Sequence, residues 1–192
     1  SVAIGYNQIL GTGDSTSIRN TFIGYGINNE SEMTNCDFNT AVGWHNMRYI
    51  QSNSHSNTSI GSQTLEALTT GDENTAVGAT AMRDVESGSN NIAVGSYAQG
   101  GTSTSSNNTA VGNYSLAQNG MTGEFNTTVG DYTMGSLNTG NNNTGMGRYS
   151  MAAVTSGSFN VAMGDESEIR NQTGDHNVAI GHKASFGVSS QS

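Results

Sequence analysis

"DENTAVGA" at residues 72–79 is the stretch that decides the fold, because nearly the same phrase returns as "SNNTAVGN" at 106–113 and as "DFNTAVGW" at 37–44. Aligning the chain on the glycine that closes the phrase reveals eleven copies, spaced by 17 to 19 residues. These phrase glycines are Gly5, Gly24, Gly43, Gly61, Gly78, Gly95, Gly112, Gly130, Gly147, Gly164 and Gly181. A fixed short period is the signature of a repeat architecture, in which neighbouring units must stack to bury a core.

Equivalent positions of the repeats form columns of constant chemical character. The asparagine column lies four residues before the phrase glycine, the small column two before it, and the valine column (Val, Ile or Met) directly before it. A looser apolar column, here the methionine column, lies four residues after the glycine. It contains Ile9, Met47, Leu65, Met82, Leu116, Met134 and Met151. A second glycine recurs seven residues before the phrase glycine, as in Gly71 and Gly140.

The phrase is too short for a helix and rich in β-branched residues, which indicates a strand. Each copy offers two short strand-like pieces joined by turns of Gly, Asn, Ser and Asp. A 17-residue unit cannot bury a core alone, so the coils must stack at the spacing of adjacent strands. The sequence therefore predicts an all-β chain folded as a parallel β-solenoid, or β-roll. It would have one coil per repeat, eleven coils, and a single array over residues 1–192.

Alternation across the strand then assigns a role to each column. The valine column is predicted to form the core, through Val42, Ile60, Val77, Val94, Val111, Val129, Met146, Met163 and Ile180. The asparagine column should face the other way, either as a hydrogen-bonded ladder between coils or as turn residues that cap their own backbone. Its members include Asn39, Asn57, Asn74, Asn91, Asn108, Asn126, Asn143, Asn160 and Asn177.

The small column shares the asparagine side and is predicted to face out of the coil. Solvent tolerates any residue size, so uniformly small side chains there suggest close approach of another chain. The predicted chain–chain contacts are Ala41, Ala76, Ala93, Ala110, Ala162 and Ala179.

Composition excludes several classes of function. The chain has six basic and 15 acidic residues, a net charge of −9, and no basic cluster that could contact nucleic acid. No apolar run approaches the length of a membrane span, so no membrane insertion is expected. Ser, His and Asp occur without a nucleophile elbow, and no phosphate-binding glycine motif is present, so the sequence predicts neither an enzyme nor a cofactor.

Other candidate sites each have a simpler structural explanation. Asp175, His176 and His182 could hold a metal ion, but their positions are those of solvated turn residues. The acidic stretch at 164–168 and the pair Asp72–Glu73 suggest turn charges, with a weak Ca²⁺ site as the alternative. N-glycosylation sequons such as the one at Asn57 arise because Asn and Thr occupy adjacent positions of the repeat.

The phrases "SVAIG" (1–5), "NIAVG" (91–95) and "NVAIG" (177–181) resemble the head repeats of trimeric autotransporter adhesins of the YadA type. "TGDENTAVGATAM" (70–82) is also similar to repeats of phage tail fibres. The resemblance covers all eleven copies. It implies three chains wound as a left-handed parallel β-roll, a homotrimeric extracellular rod on a virion or a bacterial surface.

The leading functional hypothesis is a fibre segment that acts as a rigid spacer and attaches to a host receptor, either a glycan or a surface protein. Neither end shows a solenoid cap, so further fibre is expected at both ends. Trp44, Arg48 and Tyr49 are the candidate partner contacts, because exposed aromatics beside Arg are typical binding anchors. Their alternative role is stacking along the rod, as expected for the run Tyr97, Tyr114, Tyr132 and Tyr149.

Two further hypotheses come from other classes of protein. The first is a monomeric solenoid that binds a regular lattice such as ice or polysaccharide, suggested by the recurring Thr three residues before the phrase glycine. The second is a carbohydrate-cleaving tailspike, which would need paired carboxylates in a groove.

Overall fold

A computed structural model of the chain describes residues 1–7, 17–28, 33–101, 104–169 and 172–186. Every regular element in these ranges is a β-strand. The strands are β1 (Val2–Tyr6), β2 (Thr21–Tyr25), β3 (Thr40–Trp44), β4 (Thr58–Ser62), β5 (Thr75–Val77), β6 (Ile92–Val94), β7 (Thr109–Val111), β8 (Thr127–Val129), β9 (Thr144–Met146), β10 (Val161–Met163), β11 (Glu168–Ile169), β12 (Val178–Ile180) and β13 (Ser185–Phe186).

One parallel sheet contains a strand from every repeat, in the order β1 to β10 followed by β12. The pairing is in register, so that Ala76 faces Ala93 and Val77 faces Val94 on neighbouring strands. This confirms the predicted parallel β-solenoid with one strand per repeat. Of the predicted second strands, the described residues contain the short β11–β13 pair, an isolated bridge between Thr34 and Ser52, and single bridge residues at Val85 and Met121.

The phrase glycine is required by the distance between coils. The phrase glycines have φ between 122° and 145°, a backbone conformation that L side chains rarely adopt. A Cβ built at Gly43 would lie 1.7 Å from the carbonyl oxygen of Gly61, the phrase glycine of the next coil. The same clash recurs from coil to coil, so each glycine is fixed by the glycine stacked beside it.

The asparagine column forms a buried ladder of hydrogen bonds between coils. This confirms the ladder, which was one of the two roles that the sequence offered for these asparagines. Asn143 donates from its backbone N–H and its side-chain Nδ2 to the Oδ1 atom of Asn126, at 3.0 and 3.1 Å. Asn160 makes the same pair of bonds to Asn143, at 3.0 and 3.1 Å. Because each amide binds the coil before it, the ladder fixes the in-register stacking.

The second glycine column supplies the remaining acceptor of the ladder. The Nδ2 atom of Asn143 also donates to the carbonyl oxygen of Gly157 in the next coil, at 2.8 Å. A Cβ on Gly157 would lie 2.9 Å from the side-chain nitrogen of Asn160 and 2.3 Å from the carbonyl oxygen of Gly174. In the pattern G-x-x-N, the glycine therefore does two things. Its carbonyl oxygen accepts a hydrogen bond from the asparagine of the preceding coil, and its missing side chain leaves room for the asparagine of its own coil.

The assignment of the small column to chain–chain contact is wrong. Ala41, Ala76, Ala93, Ala110 and Ala162 are fully buried inside the coil, and Ala179 is 4% exposed. A Lys at these positions would therefore test folding and not assembly.

The assignment of the valine column to the core is also wrong, because this column lies on the strand face opposite to the buried small column. Six of the nine residues named for the core are exposed, from 37% at Met163 to 66% at Ile180, with Ile60, Val94, Val129 and Met146 between them. Val42, Val77 and Val111 are only half-buried. Alternation itself holds, since the small and asparagine columns share one face and the valine column takes the other, but the strands turn the opposite face inward.

The methionine column explains which face turns inward. Met47, Leu65, Met82, Leu116, Met134 and Met151 are almost fully buried, while Ile9 lies outside the described residues. A Cβ built at Gly145, in the small column, would lie 2.9 Å from the Met134 Cε atom. Long side chains from the far wall thus reach the strand across a narrow coil, so most coils have room for only a small side chain at this position.

The second coil shows the same balance between the sizes of the two facing side chains, with the large one and the smaller one exchanged. Its small-column position carries Phe22, and its methionine-column position carries Asn28, and both side chains are fully buried. A large side chain from the strand therefore accompanies a smaller one on the opposite wall. A further apolar column, seven residues after the phrase glycine, completes the core in five coils, with Ile50, Leu68, Val85, Leu137 and Val154.

We expect Asn143→Ala to lower the free energy of unfolding by at least about 2 kcal/mol, because it leaves buried donors and acceptors of two neighbouring coils without partners. Urea denaturation followed by circular dichroism would measure the loss. Asn138→Ala is the control, since Asn138 is exposed. Equal stability of the two variants would contradict a stabilising ladder.

We expect Gln99→Met to stabilise the protein by about 1–3 kcal/mol. Gln99 occupies the methionine column of its coil and is 1% exposed; its Oε1 atom has no hydrogen-bond partner, and its Nε2 atom makes one long bond of 3.4 Å to the Ser105 Oγ atom. Met has nearly the same length and carries no polar group that needs a partner. Thermal unfolding would measure the gain, and a lower midpoint in the variant would show that the buried amide is needed.

Candidate functional surface

The outer face of the eleven-stranded sheet exposes a row of apolar side chains. Each strand presents two side chains there, one from the valine column and one Thr, Val or Ile two residues before it. Ile92 is 45% exposed and Val94 is 39% exposed near the middle of the array, and the same pair of positions repeats from strand to strand. At about 4.8 Å per strand the face is about 48 Å long. We call this surface the T-x-V face.

The turns are held together by a second ladder that the columns of the phrase did not predict. It lies six residues before the phrase glycine, where a side chain accepts the backbone N–H of the preceding coil. The Asp72 Oδ1 atom accepts from His55 at 2.6 Å, and Asp175 Oδ1 accepts from Ser158 at 2.7 Å. The sequence signal for this second ladder is the recurrence of Asp, Ser and Asn, whose short side chains can accept a hydrogen bond, at this position. Asp72 and Asp175 are therefore structural acceptors.

The corner beside the sheet carries two runs of stacked aromatic rings. In the first, Tyr6 stacks on Tyr25 with ring centroids 5.6 Å apart, and His45 stacks on Tyr25 at 5.8 Å and on Trp44 at 3.9 Å. In the second, Tyr97, Tyr114, Tyr132 and Tyr149 follow one another at 5.1 to 5.2 Å. The predicted tyrosine stacking is confirmed for Tyr114, Tyr132 and Tyr149, while the Tyr97 ring is tilted by 38° relative to that of Tyr114.

The predicted partner contacts divide into two groups. Trp44 is 44% exposed and stacks on His45. Tyr49 is 39% exposed, with the Arg48 guanidinium 5.4 Å from its ring centroid, and Arg48 also pairs with Glu66 at 3.4 Å. These are accessible aromatic surfaces, and their binding role stays a prediction.

The residues considered for a metal site take other partners. The His176 ring stacks on Phe159, with centroids 5.0 Å apart, while His182 Nδ1 lies 3.5 Å from Asp165. Within the described ranges no group of three or more His, Cys, Asp or Glu side chains is placed to hold a metal ion. Hydrogen bonding from Arg148 lowers the pKa of the exposed Asp165 carboxyl, and Lys183 pairs with Glu166 at 3.6 Å.

The sequon asparagines belong to the buried ladder. Asn57 and Asn126 are fully buried, and both donate through Nδ2 to the preceding asparagine of the column. Their side-chain amides are therefore engaged within the folded coil. No helix in the described parts of the chain is long and apolar enough to cross a membrane.

Comparison of the chain with protein-family models, with curated proteins and with solved structures gave no match.

We expect the single cysteine to resist alkylation in the folded protein. Cys36 is fully buried, its Sγ atom lies 3.5 Å from the carbonyl oxygens of Thr34 and Gln51, and burial raises the pKa of its thiol. The reactive thiolate is therefore scarce at neutral pH. Iodoacetamide labelling followed by mass spectrometry should modify the urea-unfolded chain many times faster than the native one. Equal rates would contradict the buried position.

Proposed function

We propose that this chain is a non-enzymatic segment of a homotrimeric extracellular fibre, which acts as a rigid spacer and contributes to attachment to a host or surface receptor. The observation that carries the proposal is the T-x-V face, on which a row of Val, Ile and Met side chains runs along the whole sheet beside a row of Thr, Val and Ile. Contiguous exposed apolar surface of this kind is typical of sites that bind another protein. The receptor would be a glycan or a surface protein, as the resemblance to adhesins and tail fibres suggests.

A second copy of the chain is the best match for this face. The face repeats at the strand spacing, so another solenoid with the same spacing can pack against it coil by coil, and cyclic symmetry closes such an assembly. The number three and the left-handed winding come from the resemblance to trimeric adhesins. Assembly through this face replaces the small-column contact expected from the sequence.

The spacer role is supported by the way the coils are joined. From the second coil onward, each coil boundary carries strand pairing, the asparagine ladder and stacked glycines, so the array has little freedom to bend locally. The residues that vary between repeats would then contact the receptor. Among them, Trp44, Arg48 and Tyr49 are the proposed partner contacts.

The double variant Ile92→Lys/Val94→Lys tests the assembly. It places two charges on the T-x-V face, so we expect the mass in solution to fall from three chains to one while the β-sheet circular dichroism persists. Size-exclusion chromatography with light scattering would measure both proteins at micromolar concentration. Phe125→Lys is the control, because Phe125 is 55% exposed and lies in the turn before β8, outside the two rows of side chains that form this face. A wild-type chain that is a clean monomer would refute the trimer.

The same face supports one alternative function, a monomeric solenoid that binds a regular lattice such as ice or crystalline polysaccharide. Thr and Val side chains stand in two parallel rows at the strand spacing, for example Thr109 and Val111 beside Thr127 and Val129. A monomer that slows ice growth or sediments with the insoluble polysaccharide, and loses this activity in Ile92→Lys/Val94→Lys, would favour the alternative. A trimer without lattice binding would favour the fibre.

A further inference from the structure

The second aromatic run is a ladder of four tyrosines at one corner of four successive coils, which we call the tyrosine ladder. Neighbouring ring centroids are 5.1 Å apart for Tyr97 and Tyr114, 5.1 Å for Tyr114 and Tyr132, and 5.2 Å for Tyr132 and Tyr149. The Tyr114 and Tyr132 planes differ by only 1°. These separations are close to the strand spacing, so the solenoid itself sets the distance between the rings.

The backbone fixes the position of each tyrosine. All four residues adopt the left-handed conformation, with φ between 52° and 56°. Their N–H groups donate to the coil before them, at 3.0 Å from Tyr114 to Ser96, 2.9 Å from Tyr132 to Asn113 and 3.0 Å from Tyr149 to Asp131. The phenol rings are therefore kept beside one another in the folded state.

The ring edges of the ladder are its accessible part. Stacking covers the faces between neighbouring rings, and the two end rings carry guanidiniums, Arg83 at 5.4 Å from the Tyr97 centroid and Arg148 at 5.5 Å from the Tyr149 centroid. Even so, Tyr114, Tyr132 and Tyr149 are 42–44% exposed. This arrangement is unfavourable for a sugar ring, which stacks on a free aromatic face, and it leaves the phenol edges open to an oxidant.

We propose that the tyrosine ladder is a site of oxidative cross-linking, at which neighbouring tyrosines of one chain join as dityrosine. A one-electron oxidant, such as a haem peroxidase supplied with hydrogen peroxide, removes one electron and the hydroxyl proton from each of two phenols. The two phenoxyl radicals combine through a new carbon–carbon bond between the ring positions ortho to the hydroxyls. Both rings then regain aromaticity as the hydrogens on those carbons move to the oxygens.

The reaction balances without any group held by the protein. Each link removes two hydrogen atoms from the chain, and one hydrogen peroxide accepts their two protons and two electrons to give two waters. The protein contributes proximity, since radicals on adjacent coils need not meet by diffusion. The chain's single cysteine is buried, so no exposed thiol competes as a reductant.

A link in the ladder would join two successive coils covalently. Apart from the backbone that runs from one coil to the next, the coils are held together by hydrogen bonds, ion pairs and packing, so such a bond would act against separation of coils during unfolding. The proposal concerns pairs within one chain and does not rest on trimer formation. Its outcome is therefore distinguishable from that of the assembly experiment.

The test is to treat the native protein with peroxidase and hydrogen peroxide, and to measure the denatured single-chain species by mass spectrometry. We expect a species lighter by two hydrogen atoms, with dityrosine fluorescence and unchanged single-chain mobility on a denaturing gel. Trypsin cleavage after Arg148 separates Tyr149 from Tyr132, so a link between them joins peptides 84–148 and 149–170. Recovery of that joined pair from the single-chain species is the expected result.

Two variants make the assignment specific. Tyr132→Phe keeps an aromatic ring in the stack but removes the phenol, so the joined pair should be lost. Tyr49→Phe removes a tyrosine outside the ladder and should leave the pair unchanged. No joined pair in the native protein, joining confined to multi-chain species, or peptide 49–83 joined to other peptides as often as 149–170, would each overturn the proposal.

Discussion

The contact on which the structure depends is the buried amide of each repeat's asparagine. Its Oδ1 atom accepts two bonds from the following coil, and its Nδ2 atom reaches back to the preceding asparagine and forward to a glycine carbonyl, as at Asn143. A buried amide without these partners would cost a large part of the stability of a small domain. The coils are therefore held in register, and every other column takes its place from this ladder.

Register then explains why the repeat tolerates so little change at its glycines. Once strands are locked at the sheet spacing, the backbones of Gly43 and Gly61 approach so closely that no Cβ fits between them. The corner residues accept left-handed φ values even where they are Tyr, Met or Leu, as at Tyr114, Met134 and Leu65. A backbone cost of about 1–2 kcal/mol at such a residue is offset by the hydrogen bonds and burial of the stacked coil.

The same stacking gives the surface its character. Any exposed side chain is placed next to its equivalent in the neighbouring coil, so single residues become rows. Thr and Val become a long apolar face, four tyrosines become a ladder, and Arg148 meets Asp165 and Glu166 as a row of alternating charge. Proposals of assembly, attachment and cross-linking all arise from such rows, because a row presents the same chemistry at regular intervals.

The sequence by itself determined the repeat, the parallel stacking, the position of every strand in the main sheet and the pairing of columns by alternation. It also supplied the asparagine ladder as one of two readings, and the stacking of Tyr97 to Tyr149. The tertiary structure decided which face of the strand lies inside. Alternation makes the Ala76 and Val77 columns opposite but cannot orient them, since orientation depends on the space left across the coil by Met82 and its equivalents. In a narrow coil the long side chains of the far wall fill the interior, so the strand turns its small residues inward and leaves its branched residues outside.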